Sequence, residues 1–122
     1  MAGTFTKIPL SGSTNGKQIK ITTTASAGDL IHTAVSGTSS NDEIWLYADN
    51  DSTGPVLLTI QYGGTTDIDN TIKVTVPARA SEGSDGLKLV LSGLILQNSL
   101  VVRAFAASAN VIKISGYVHR IA

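Results

Sequence analysis

Two histidines, His32 and His119, and nine acidic side chains are the groups in this 122-residue chain that could hold a metal ion or move a proton. Such chemistry needs several of these groups converging on one point. His32 alternates with Leu30 and Ala34, and His119 stands beside Arg120, so neither has a third ligand at a readable spacing. Each reads as a partly exposed strand histidine. No Gly-x-Ser-x-Gly elbow occurs, and the serines gather in turns, where their hydroxyls serve backbone groups. The absence of cysteine removes a disulfide framework, a thiolate zinc site and a Cys nucleophile together.

Two stretches imitate ligand loops. Gly12-Ser13-Thr14-Asn15-Gly16-Lys17-Gln18 has the outline of a phosphate loop, but it is one residue short between its glycines. Gln18 also replaces the magnesium-holding hydroxyl, and a strand pattern follows where a helix is needed. Asp49, Asp51, Thr53 and Gly54 match the opening of a calcium loop, with Asp67, Asp69 and Asn70 as further oxygens that could approach. The twelfth position, however, is Ile60, which cannot chelate. A solvated turn is the default reading. The sequence thus predicts no catalytic, cofactor-binding or metal-binding residue.

Trp45 and Tyr47, two apart on one extended run, share a face about 7 Å apart. That spacing suits a stacking platform for sugar rings, and equally an anchor in a protein interface.

The elements that position these residues have a period of two. Extended runs are predicted over Phe5–Leu10, Ile19–Thr24, Leu30–Val35, Glu43–Asp49, Val56–Tyr62, Thr71–Val76, Leu87–Leu91, Leu100–Phe105 and Val111–Ile121. Gly-, Ser-, Asn- and Asp-rich turns separate them. Residues 77–86 form the predicted mobile excursion. Eight or nine short strands in one domain covering 1–122 indicate an all-β antiparallel sandwich, jelly-roll-like, with 1–10 as an edge strand or extended arm.

Nine Lys and Arg balance nine Asp and Glu, and charged residues make up 15 %, against about 25 % in ordinary soluble domains. The lysines are scattered, so neither nucleic acid nor an anionic membrane is an expected partner. No basic, apolar leader opens the chain, which predicts a protein made and used without a secretory route. Alternation fails in Val56-Leu57-Leu58, in Leu87 to Leu96 and in Leu100-Val101-Val102, which carry apolar groups on both faces. A single core cannot cover all of them, so a neighbouring chain is expected to.

Asn41-Asp42-Glu43-Ile44-Trp45-Leu46-Tyr47-Ala48, Leu58-Thr59-Ile60-Gln61-Tyr62-Gly63-Gly64, Ile72 to Pro77, Val101 to Ala106 and Ile114 to Ile121 resemble small virion proteins of tailed bacteriophages, of the head decoration, cement or fibre type. The resemblance covers about two thirds of the chain and consists of strand-and-turn patterns. It implies a non-enzymatic protein, often a trimer, that binds the lattice of the major capsid protein at the virion surface after synthesis in the host cytoplasm. The alternative is a fibre or tail tip recognising a host glycan. The residues expected at an oligomer or partner interface are Trp45, Tyr47, Leu57, Leu94, Ile95, Val101, Phe105 and Tyr117. Phe5, Ile8 and Leu10 are the expected docking arm.

Overall fold

The computed structural model describes residues 4–79 and 86–122. Its strands are β1 (Phe5–Pro9), β2 (Ile19–Lys20), β3 (Asp29–Thr33), β4 (Asn41–Asn50), β5 (Val56–Tyr62), β6 (Thr71–Val76), β7 (Lys88–Leu96), β8 (Val101–Ala106) and β9 (Ile112–Ile121). They form two antiparallel sheets. One runs β1-β9-β4-β7, with β2 also on β9, and the other runs β3-β8-β5-β6. The protein is an all-β sandwich. From β2 onward the chain changes sheet at every connection except the β5–β6 hairpin.

Alternation explains which side of each strand is covered. In β4, Ile44, Leu46 and Ala48 face the interior, while Glu43, Trp45 and Tyr47 face out. Val56, Leu58 and Ile60 of β5 meet Val102, Ala104 and Ala106 of β8 and Ile112, Ile114 and Val118 of β9 in one core. Burying each large aliphatic side chain contributes about 1.5–3 kcal/mol. This layer holds the sheets together.

Three departures from the sequence expectation have local causes. The Ile19–Thr24 run forms a ladder with β9 only at Ile19 and Lys20, with one further bond from the Ile21 N–H to the Ile112 carbonyl. Leu30, His32 and Ala34 do not share one face, because a bulge between Leu30 and His32 turns both Ile31 and His32 inward. His32 is consequently 1 % exposed, not a partly exposed histidine. The seventh run reaches Leu96, with register shifts opposite Ile44/Trp45 and Leu46/Tyr47. Those shifts are why its apolar residues do not alternate. Most of the predicted excursion at 77–86 falls on residues 80–85, outside the described residues.

Candidate functional site

Asp42, the second residue of β4, is in the register of its core residues, so its carboxylate enters the interior and must find partners there. Arg120 approaches it in bidentate fashion, with Nε 2.8 Å from Oδ1 and Nη2 2.8 Å from Oδ2. His32 Nε2 lies 2.7 Å from Oδ2, and the Val35 backbone N–H donates to the same oxygen at 3.0 Å. A carboxylate only accepts, so His32 carries its proton on Nε2. Its Nδ1 then accepts the Ser11 N–H at 3.0 Å. Burial alone would raise the Asp42 carboxyl, but the hydrogen bonds from Arg120 and His32 and the charge of Arg120 outweigh it and hold the carboxyl below its ordinary value. This cluster ties β3, β4, β9 and the 10–13 segment together. Every polar atom it uses is spoken for, which suits a clamp.

The outer face of the β1-β9-β4-β7 sheet carries an aromatic row. Trp45 and Tyr117 are register partners, and their rings lie 6.2 Å apart and 12° from parallel. Lys7 Nζ sits 4.9 Å from the centre of the Tyr117 ring, and His119 is tilted against that ring with centroids 5.3 Å apart. The Trp45 indole N–H donates to Glu43 Oε1 at 2.9 Å, and His119 Nδ1 is 3.1 Å from the same oxygen. These two donors, Trp45 first, hold the Glu43 carboxyl below its usual range. Gly93 makes room for the indole: its φ is 75°, and a Cβ there would stand 2.9 Å from the ring. Tyr47 shares this face, with Leu89 opposite it on β7.

The expected interface residues therefore divide between two opposite surfaces. Trp45, Tyr47 and Tyr117 form the aromatic row, and Leu94 and Ile95 stand exposed on the adjoining edge strand β7. Leu57, Val101 and Phe105 lie on the outer face of the β3-β8-β5-β6 sheet. The expected docking arm is corrected in part. Phe5 is 77 % exposed and Ile8 half-buried, but both belong to β1, which is hydrogen-bonded to β9 of its own chain. Leu10 is a core residue and offers nothing to a partner.

The two ligand-loop imitations have structural explanations. Asn50 organises the 49–55 turn: its amide donates to the Gly54 and Val76 carbonyls, and its oxygen accepts the Ser52 N–H. Asp49 meanwhile pairs with Lys113 at 3.0 Å. Gly12 lies against β3, its N–H donating to the Ile31 carbonyl. No group of three or more His, Asp or Glu side chains converges among the described residues.

Sequence reading missed the Asp42–Arg120–His32 cluster. The signal was present in the parity of Asp42 with Ile44 and Leu46, and of Arg120 with Val118. Comparisons with protein-family models, with curated proteins and with solved structures find no match.

Proposed function

We propose that this chain is a non-enzymatic structural protein that works as a homo-oligomer, a trimer by resemblance, and decorates the outside of a bacteriophage head. The observation that carries the oligomeric part is the apolar edge of β7. Leu87 and Ile95 are 57 % and 56 % exposed, and Leu89 and Leu94 stand out beside them. The edge continues through register neighbours into Tyr47 and the Trp45–Tyr117 row. Soluble monomers rarely leave such a surface bare, and the chain's zero net charge gives it little protection from association. The strand order supports a jelly roll, since two nested Greek keys place the strands in this sequence, a fold used in capsid and lectin domains. A modest contact repeated over a capsid lattice binds well without strong charge.

The alternative of glycan recognition through Trp45 and Tyr47 draws less support from this geometry. The indole N–H and the Glu43 carboxylate already satisfy each other, and Lys7 covers the Tyr117 ring. Light scattering tests the proposal. The expected mass is roughly three times 12.6 kDa, reduced in Ile95→Lys without loss of folding. A strict 12.6 kDa species at high concentration overturns it. Saturable co-sedimentation with capsids encoded alongside this chain tests the decoration part.

A further inference from the structure

The outer face of the second sheet holds an open trough of about 320 Å³, near the lower end of the ~300–1,000 Å³ usual for small-ligand sites. Its floor is Leu57 and Thr59 on β5 with Phe105 on β8, the register partner of Thr59. One wall is the loop between β5 and β6, which brings Asp67 opposite Lys73. The other wall is Ser26.

Both walls are fixed by hydrogen bonds from beneath. Gln61 is buried although it points to the outer side. Its oxygen accepts the Gly28 N–H at 2.9 Å, and its amide donates to Ser26 Oγ at 2.9 Å. Ser26 is thereby left with its own O–H to give. Asp67 Oδ1 accepts the Ile68 N–H at 2.8 Å and the Thr71 hydroxyl at 3.2 Å, and it pairs with Lys73 Nζ at 2.9 Å. Its second oxygen accepts nothing among the described residues. The Lys73 ammonium first, then the Ile68 N–H and the Thr71 hydroxyl, hold the Asp67 carboxyl below its usual value, so it stays an acceptor. Ile68, next to it, has a φ of 74°, a conformation that strains a β-branched residue and clusters at binding sites. Thr59 is 3 % exposed, and its hydroxyl is used by no hydrogen bond among the described residues.

The trough thus offers an apolar base, unspent hydroxyls, one free carboxylate oxygen, and charges that cancel. A charged ligand would find no uncompensated partner in it. A wholly apolar ligand would leave Thr59 and Ser26 unpaired. We infer that the trough binds a neutral saccharide, one ring laying its C–H face on Leu57 and Phe105 while its hydroxyls meet Asp67, Ser26 and Thr59. This inference does not depend on the oligomeric reading, since the trough and the β7 edge belong to different sheets.

The test is a nitrogen–proton NMR titration of the full chain with the methyl pyranosides of glucose, galactose and mannose. Benzyl alcohol and inorganic phosphate serve as comparison probes. At least one glycoside is expected to give saturable shifts at the amides of Thr59, Phe105, Thr71 and Lys73, with a Kd on the order of 1 mM. Binding is expected to weaken about tenfold or more in Asp67→Ala and in Leu57→Ser, both at exposed side chains, and to persist in Trp45→Ala. The inference is overturned by absent or unsaturable shifts, by shifts indifferent to both trough variants, or by benzyl alcohol or phosphate binding as tightly. It also fails if Leu57→Ser lowers the native mass, which would mean that another copy covers the trough.

Discussion

Replacing Asp42 with alanine would strand the Val35 N–H, the His32 Nε2–H and the Arg120 guanidinium at once. Removing one partner of a buried ion pair typically costs about 3–5 kcal/mol, and chemical denaturation of Asp42→Ala is expected to show a loss of that size. The same carboxyl makes stability depend on acid. It ionises below its ordinary value of 3.8 in the folded chain, so its contribution is complete above that value and drains away as pH falls through the folded one. Unfolding midpoints measured from pH 5 downward are expected to drop below about pH 4, and Asp42→Asn is expected to flatten that acid limb. Tyr62 makes an opposite case. Its hydroxyl is buried with no partner among the described residues, and burial pushes its pKa up to about 12. A buried hydroxyl left unpaired costs about 1–3 kcal/mol. Tyr62→Phe is therefore expected to raise the melting temperature.

At the scale of elements, Gly93 governs how β7 meets β4. Any side chain there takes on a strained φ and also presses into the Trp45 ring. Gly93→Ala is expected to cost about 1–3 kcal/mol and to shift Trp45 fluorescence as the indole leaves the sheet. The extents of β5 and β6 were legible in the sequence, and that of β8 to within one residue at each end, because turn residues bound these runs. β3 and β7 read as alternating strands, and their register shifts break that alternation. A bulge adds one residue to one strand without a mark in composition, so the inward turn of His32 could not be read from its neighbours. The trough was illegible for a related reason. Thr59 and Gln61 look like solvent-facing polar residues of an alternating strand, and only the loops folded over them bury both.

For the whole molecule, the expectation that a lone chain cannot cover all its apolar side chains agrees with the exposed Leu57, Leu87, Leu89, Leu94, Ile95 and Leu100. Parity and run length were enough to see that. What could cover them depends on surface shape, which sequence spacing does not encode. Leu89→Lys is expected to leave the unfolding midpoint within about 0.5 kcal/mol of the parent at equal protomer concentration if the protein is monomeric. A larger fall that grows with dilution is expected if β7 is an interface.

β9 is the last strand in the sequence, yet it lies between β1 and β4 and also holds β2. Until it arrives, a growing polypeptide has β1 and β2 with nothing to join them to the β4–β7 pair, and much of the greasy side of that layer stays open to water. Assembly of that layer must wait for the final stretch, so folding is expected to be all-or-none and slow, in milliseconds to seconds. A chain cut at residue 111 is expected to show no cooperative melting, rather than a frayed version of the whole.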